Sequence, residues 1–416
     1  MDTHSPFGRR TAIKMGLAGA AVALAPRRAR AQNPREVKIA LVVPLSGPWA
    51  RQGILEQYGA ELAVDDVNSS GGIKALGGAK LKLILYDTGD TAEKAKNAAQ
   101  RLVAQEPDVV GGIGCWLSSF TLAVTEVTER AELPWLTLSY SDLITGRGFK
   151  YIFQSSPTAD AQATALLPRI VDLASKATGG RPAKVAFVGD NSAAVVSFMK
   201  PIREHVAKDL GLTIVADETY TPPLADATTL VQKIRSGRPD FIVLQSTNVG
   251  DDKLLLDKFA ERGITASTIP LVGGGGHWTV PELMKVAGKE HLEGLIVGLA
   301  NWPGKDLGDL ERRFMAKTNE PWFGHDSIFP YAHVMIFKEA LERTASTDRK
   351  KLGEMMHKID LKEGPAKLFP DGRVKYDEKG RRVGAELCIV QWQKGRPVAV
   401  HPDSIAVSKA VWPKLS

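Results

Sequence analysis

Three short segments that carry serine hydroxyls follow strand-like apolar runs in this chain. They are Ser46–Trp49, Cys115–Ser119 and Ser139–Asp142, and two of them open a helical pattern. A serine hydroxyl beside the free backbone N–H groups of a helix N-terminus forms a natural anion site. With no arginine present, a carboxylate is the small anion that suits hydroxyls and amides best. Serines commonly cap helices without binding a ligand, so the prediction depends on the three segments meeting at one sheet edge.

Aromatic residues lie in the same segments. Trp49 and Trp116 could each cover the apolar body of a ligand, although a single tryptophan is more often a core residue. The candidate ligand residues at this edge are Ser46, Trp49, Trp116, Ser118, Ser119, Ser139, Tyr140, Ser141 and Asp142. Together they predict a site for a small anion with an apolar body.

A parallel sheet is needed to position these segments. Val37–Leu45 has the length and composition of a strand buried on both faces. A helical pattern follows over residues 55–63, where Gly59 would let the helix lie close on a sheet, and a second apolar run ends at Asp87. This order predicts a βαβ unit, and such sheets bind ligands at the carboxyl ends of their strands.

The alternation of strands and helices continues along the chain. Further strand-like runs are Leu81–Tyr86, Asp108–Ile113, Leu133–Leu138, Val185–Val188, Phe241–Leu244, Ile269–Val272 and Leu295–Gly298. Gly179–Pro182 separates a first set of units from a second. We predict an α/β protein with two doubly wound, Rossmann-like lobes. Near the end, helical patterns at Ser327–Arg343 and Arg349–Lys358 precede two hairpin-like runs, Glu386–Gln393 and Val398–His401.

The N-terminus predicts export from the cytoplasm. Arg9 and Arg10 precede a short apolar stretch, Met15–Pro26, and Ala29–Ala31 offers a small-residue cleavage site. The pattern resembles a twin-arginine signal with cleavage after Ala31, and the stretch is too short to span a bilayer. We therefore expect a periplasmic protein.

Charge and cysteine content argue against a nucleic-acid-binding protein and against a disulfide framework. The predicted signal, residues 1–31, holds six of the 54 Lys and Arg residues and one of the 47 Asp and Glu residues, so its removal lowers the net charge from +7 to +2. The basic balance therefore gives no reason to expect a nucleic-acid partner. Cys115 and Cys388 are the only cysteines. They could pair in an oxidising compartment, but two isolated thiols are the simpler expectation.

Catalytic motifs are missing from the sequence. The glycine-rich run Gly273–Gly276 lacks the Lys-Ser/Thr of a phosphate loop and the spacing of a dinucleotide fingerprint. The pair His325-Asp326 has no further metal ligands nearby in sequence. We predict neither an enzyme nor a bound cofactor or metal.

A family resemblance rests on particular motifs. The strongest lie in the first unit: Pro44–Trp49, Gly53, Gly59–Ala63, Asn68, Gly71–Ile73 and Tyr86-Asp87. Looser matches follow at Ser118–Ala123, Asp190–Ala193, Ala287-Gly288, Glu293-Gly294 and Tyr376–Gly380. The chain resembles the leucine/isoleucine/valine-binding family of periplasmic solute-binding proteins over nearly its whole length after residue 31.

This resemblance implies a type I periplasmic binding protein fold, in which a three-stranded hinge joins two lobes. The crossovers would fall near Pro157, Ala300 and Gly384. Residues 35–156 with 300–384 would form the first lobe, and residues 157–299 with 385–416 the second. The resemblance also implies hinge closure on a small ligand and delivery to an ABC permease of the inner membrane. We expect a monomer.

The resemblance assigns Ser118 or Ser119, with Ser139 and Ser141, to an α-carboxylate. In the second lobe, Asn191, Thr247 and His277 are the candidate ligand residues. Family members usually hold the α-ammonium with an acidic residue in the loop that here reads Gly273–Trp278 and has no carboxylate. A buried ammonium without an acidic partner would cost several kcal/mol.

The altered loop suggests an aromatic or aliphatic acid without an α-amino group, with His277 donating to it and Trp278 or Tyr140 stacking on it. Asp142 or Asp160 could still supply an ammonium contact, so a branched-chain amino acid stays open. A ligand sensor of the amide, urea or receptor type is a further alternative to a transport component.

Overall fold

The computed structural model describes residues 35–412. The predicted export signal, residues 1–31, lies outside the described residues. Within the described part, no helix is both long and apolar enough to cross a membrane.

The first sheet is entirely parallel. Its spatial order is β2 (Lys80–Asp87), β1 (Glu36–Val43), β3 (Val109–Gly114), β4 (Trp135–Thr137) and β5 (Ile152–Gln154). The chain reverses its direction of winding between β1 and β3, so the carboxyl ends of these two strands border the crevice where doubly wound sheets take ligands.

The second sheet repeats the same order and adds a hairpin. It contains β7 (Thr213–Tyr220), β6 (Lys184–Asp190), β8 (Phe241–Gln245), β9 (Leu271–Gly274), β10 (Ile296–Leu299), β13 (Cys388–Gln393) and β14 (Arg396–His401). The strands from β6 to β10 are parallel, whereas β13 and β14 are antiparallel to their neighbours. The prediction of two doubly wound α/β lobes is confirmed.

Helices cover both sheets. Four helices come before β6 along the chain: α1 (Ala50–Ser69), α2 (Ala92–Gln105), α3 (Ser118–Arg130) and α4 (Ala159–Thr178). Those that follow are α5 (Ala193–Pro201), α6 (Ala207–Asp209), α7 (Thr228–Gly237), α8 (Val249–Glu261), α9 (Pro281–Ala287), α10 (Lys289–Leu292), α11 (Gly308–Thr318), α12 (His325–Thr344) and α13 (Arg349–Lys358). A small sheet pairs β11 (Asp360–Leu361) with β12 (Val374–Lys375).

Local sequence sets several helix starts. The side chains of Thr91, Thr158, Asn248 and Asp348 each accept a backbone N–H of the first turn of α2, α4, α8 and α13, respectively. These contacts satisfy N–H groups that have no partner within the helix. The sequence pattern predicted α13 with its observed bounds.

In the two large sheets, two strands escaped the sequence patterns. The strand β5 is only three residues long. The strand β7 lies at the sheet edge, and its polar residues interrupt the apolar run. Short strands and half-solvated edge strands give a weak hydrophobic signal.

Each sheet has its own core. One apolar cluster covers the first sheet and includes residues of α12 and α13. Two clusters cover the opposite faces of the second sheet, and α4 belongs to one of them. The chain therefore passes between the two cores after β5, after β10 and before β13. The boundaries at 156/157, 299/300 and 384/385 stay a prediction.

One helix contact differs from the expectation for Gly59. A Cβ on Gly59 would lie 2.0 Å from the carbonyl oxygen of Ser327, at the start of α12. The glycine therefore allows α1 to pack closely against a helix, not against a sheet.

Candidate ligand-binding site

A cavity lies between the two lobes, at the carboxyl ends of both sheets. Its unoccupied space is about 630 Å³, including the opening to solvent. Polar residues on its wall are Trp116, Ser118, Ser139, Tyr140, Gln162, Gln245, Ser246, Thr247, His277 and His325, and the apolar side chains include Leu117, Leu138, Leu166, Val195, Phe198 and Leu387. Among these described lining residues there is no Asp, Glu, Lys or Arg. The wall therefore binds through hydrogen bonds and apolar contact.

Ser118 presents a hydroxyl with a free proton. Its Oγ accepts the backbone N–H groups of Tyr140 and Ser141, each at 3.1 Å. Since both contacts use the oxygen as acceptor, the O–H remains available to donate to a ligand. Ser118 is also the first residue of α3, so it lies at the positive end of that helix.

A second helix start borders the cavity from the other lobe. Ala194 and Val195 belong to the first turn of α5 and line the cavity. The N–H groups of a first turn have no acceptor within the helix. Helix starts on both sides make the electrostatic environment favourable to an anion.

A hydrogen-bonded chain forms part of the first-lobe wall. The Tyr140 hydroxyl lies 2.7 Å from Nε2 of His325, and His325 Nδ1 lies 2.8 Å from Oδ1 of Asp326. The indole N–H of Trp116 donates to the same Asp326 oxygen at 2.9 Å. Burial raises the pKa of Tyr140 well above its ordinary value, so its phenol is neutral. These contacts hold the two aromatic rings in place.

His325 lines the cavity, a role that the sequence did not predict, because the His325-Asp326 pair suggested only a metal site. The described residues contain no group of three or more His, Cys, Asp or Glu able to hold a metal ion. The position of the pair in the sequence could have indicated this role, because the pair comes directly before the predicted helix that starts at Ser327.

His277 lies in the second-lobe wall. Its ring is buried and meets the Trp116 ring edge-on, with centroids 5.8 Å apart. Burial, and secondarily the neighbouring His325, lower the pKa of His277 to about 3. His277 is therefore a neutral imidazole at physiological pH.

Trp278 does not line the cavity. It is fully buried against Gly273, where an added Cβ would lie 2.7 Å from the indole ring. The expected stacking of Trp278 on a ligand is therefore wrong, because the loop turns this side chain into the lobe core.

Half of the candidate residues line the cavity. They are Trp116, Ser118, Ser139, Tyr140, Thr247 and His277. Ser139 and Thr247 already use their protons within the protein, since Ser139 donates to backbone carbonyls of the Cys115 segment and Thr247 donates to Asp190. Which of these residues contact a ligand stays a prediction.

Two other candidates bridge the lobes. The N–H of Ala193 donates to Ser119 Oγ at 3.4 Å, and the hydroxyls of Ser141 and Ser197 lie 2.9 Å apart. Each contact joins the first lobe to α5. Ser119 and Ser141 therefore lie at contacts between the lobes, outside the cavity lining.

The remaining candidates lie elsewhere. Ser46 is exposed and donates to Asp87, and Asn191 is exposed and donates to Thr221. Trp49 packs edge-on against Phe120 in the first-lobe core.

The two acids that could have met an ammonium also lie outside the lining. Asp142 accepts the backbone N–H of Asp160 at the start of α4, and Asp160 itself is exposed. Neither residue lines the cavity.

Several lining residues carried no sequence signal. Gln162 comes from the first turn of α4, Phe198 from α5, and Leu387 directly precedes β13. Gln162 and Leu387 reach the cavity because the chain crosses between the lobes near each of them, which a local pattern cannot show. The cysteines are both buried and unpaired.

Comparison with known proteins identifies the family. A model described as periplasmic binding protein matches residues 36–397. The chain belongs to the periplasmic binding protein family. Its relatives place it in the leucine/isoleucine/valine-binding, type I branch. Leu/Ile/Val-binding protein homolog 7 of Brucella melitensis is 28% identical over 391 residues, which cover 91% of this chain and 94% of the relative.

Solved structures share the fold. The substrate-binding protein LivJ of Streptococcus pneumoniae, solved in complex with isoleucine, superposes with a TM-score of 0.74 at 22% identity and covers 88% of this chain and 99% of its own. A solute-binding protein of an ABC transporter from R. palustris, solved in complex with benzoate, gives a TM-score of 0.74 at 19% identity, covering 91% and 100%. This periplasmic binding protein is thus a non-enzymatic, solute-binding protein, and the family implies a periplasmic location.

Proposed function

We propose that this periplasmic binding protein traps a small carboxylic acid without an α-amino group, aromatic or aliphatic, and delivers it to an ABC permease of the inner membrane. One observation carries the proposal: the cavity wall combines two helix N-termini, the Ser118 hydroxyl and His277 with no acidic side chain.

The charge argument favours an acid over an amino acid. A carboxylate can accept the Ser118 proton and backbone N–H groups at the helix starts, and charge-assisted hydrogen bonds of this kind are strong. An ammonium group in the same cavity would meet neutral acceptors only. Burying a cation without an anionic partner costs several kcal/mol.

The apolar wall favours a ligand with a compact hydrophobic body. Leu138, Leu166, Val195 and Phe198 line the same cavity as the polar groups. Burial of apolar ligand surface contributes roughly 25 cal/mol per Å². The benzoate bound by the R. palustris neighbour has this combination of a carboxylate and an apolar ring.

A branched-chain amino acid is the second candidate. The Brucella relatives carry the name Leu/Ile/Val-binding protein homolog, and the S. pneumoniae neighbour is solved with isoleucine. This ligand would need an acidic partner from outside the present lining, for which neither Asp142 nor Asp160 is placed.

Calorimetric titration of the purified protein tests the proposal. We expect benzoate to bind, and its neutral amide, benzamide, to bind at least about tenfold more weakly because it lacks the charge that strengthens the hydrogen bonds. L-leucine and L-isoleucine are the competing probes. Binding of either amino acid more tightly than benzoate would overturn the proposal.

Export and transport are separate parts of the proposal. We propose that residues 1–31 act as a twin-arginine signal cleaved after Ala31, which N-terminal sequencing of the periplasmic protein can check. A deletion strain should lose uptake of the ligand. Normal uptake with lost ligand-dependent gene induction would instead favour the sensor alternative.

A further inference from the structure

We infer that Asp252 is a positioning residue that holds the His277 imidazole with its proton on Nδ1, so that His277 offers the cavity a hydrogen-bond donor. This inference rests on the proposed carboxylate function, which it deepens by naming a residue that selects for an anionic ligand. Asp252 itself does not line the cavity.

The position of Asp252 behind His277 is the first observation. Asp252 is fully buried in α8, and its Oδ1 accepts the Ser246 hydroxyl. Its Oδ2 has no hydrogen-bond partner and lies 3.6 Å from Nε2 of His277. This separation is just beyond hydrogen-bond distance, so a small movement of the ring brings the two atoms together.

The free nitrogen of His277 is the second observation. Nδ1 is buried without a partner in the protein. It lies 3.1 Å from the position that a Cβ on Gly275, a cavity-lining residue, would occupy. With Nε2 turned toward Asp252 and Ser246, Nδ1 is the ring nitrogen left for a ligand.

Burial favours the protonated form of Asp252. Burial, with the nearby charges of Asp251 and Asp190, raises the pKa of Asp252 well above its ordinary value. Tyr220 is a further titratable group close to these acids. On the first-lobe side, His325 and Asp326 face the His277 loop at Gly276.

The tautomer follows from that protonation. A neutral Asp252 carries its proton on Oδ2 and donates to Nε2, which leaves the imidazole proton on Nδ1. An ionised Asp252 would instead accept from an Nε2–H and turn the Nδ1 lone pair toward the ligand. The first state attracts a carboxylate and the second repels it.

The direction of the pH dependence follows. Benzoate stays ionised above about pH 5, so a change in its affinity at higher pH reports on the protein. Affinity should be constant while Asp252 is protonated and should fall as the pH rises through the pKa of Asp252. A rise in benzoate affinity with increasing pH would contradict the inference.

Nitrogen NMR of the imidazole is the primary experiment, since the shifts of Nδ1 and Nε2 distinguish the two tautomers. We expect the Nδ1–H form of His277 in the wild-type protein at about pH 6, with and without benzoate. An Nε2–H form would overturn the inference, while benzoate binding in the same sample would leave the proposed function intact. Failure of benzoate to bind would overturn both.

Variants supply the second readout. Asp252→Asn can still donate to Nε2 and cannot ionise, so it should keep benzoate affinity within about threefold and remove the fall at high pH, whereas Asp252→Ala should weaken binding at least about tenfold. Asp251→Asn, the neighbouring buried acid, is the matched control and should retain the wild-type pH profile. Binding by Asp252→Asn as weak as that by Asp252→Ala would contradict the inference. Should either variant fail to fold, the wild-type tautomer decides alone.

Discussion

At the scale of single residues, the binding wall depends on which polar atoms are already used inside the protein. Ser139 and Thr247 line the cavity, yet both donate their protons to protein acceptors. Ser118 accepts two N–H groups and keeps its own proton. Of these three hydroxyls, only that of Ser118 is left to donate to a bound carboxylate.

We expect Ser118→Ala to weaken benzoate binding at least about tenfold, since a hydrogen bond to a charged group contributes about 1.5–3 kcal/mol. Calorimetric titration measures the change. Ser118→Thr keeps a hydroxyl and should recover part of the affinity. The exposed Ser46 provides the control, because Ser46→Ala alters a contact with Asp87 outside the cavity. Equal effects of Ser118→Ala and Ser46→Ala would contradict the assignment.

At the scale of elements, the packing of α1 against α12 supports the first-lobe side of the site, because α12 begins with His325 and Asp326. Because Gly59 has no side chain, α1 can lie directly against the carbonyl oxygen of Ser327 in α12. The Ser327 hydroxyl also donates to the carbonyl of Leu55 in α1, at 2.9 Å. The helix contact therefore determines where the start of α12 lies.

Gly59→Ala should lower the free energy of unfolding by about 1–3 kcal/mol through overpacking. Helix propensity alone predicts the opposite sign, a gain of about 1 kcal/mol. Urea denaturation followed by circular dichroism measures the difference. Gly180→Ala is the control, because its added Cβ would meet no atom within 4 Å. A Gly59→Ala protein as stable as the wild type would rule out the tight contact.

At the scale of the whole molecule, the glycine-rich loop of the second lobe lies against the start of α12 in the first lobe. A Cβ on Gly276 would lie 2.5 Å from both Asp326 Oδ1 and His325 Nδ1. Those two side chains are buried and hydrogen-bonded to each other, so they cannot easily move aside. Under the proposed hinge closure, the contact at Gly276 forms only when the lobes come together.

Gly276→Ala should therefore disfavour the closed form without unfolding either lobe. We expect benzoate affinity to fall at least about tenfold, since a ligand must shift the open–closed population by its differential affinity. Small-angle scattering should show a larger radius of gyration than the wild type at the same benzoate concentration. An unchanged unfolding temperature without ligand is the internal control. Wild-type affinity and compaction would show that the lobes close without this contact.

Much of the fold could be read from sequence because its signals are local. Buried parallel strands such as β1 and β8 are continuous apolar runs, and α13 has a capping aspartate directly before its first turn. The strands β5 and β7 could not be read, since one is too short and the other too polar to stand out.

The site was only half predictable. Segments that follow parallel strands were expected at one edge of the sheet. This expectation included Trp116, Ser118 and Tyr140, and all three line the cavity. The same reasoning could not separate Ser118 from Ser119, adjacent residues of which one lines the cavity and the other bridges to α5.

The sequence by itself determined the α/β class, the two lobes, the family and the lack of an acid in the Gly273–Trp278 loop, because each depends on residue types and their spacing along the chain. Only the tertiary structure decided which hydroxyl keeps a free proton, that Trp278 turns into the core, and that Asp252 lies behind His277. Those features depend on contacts between segments far apart in sequence, and a side chain's role in the cavity is set by the partners it meets there.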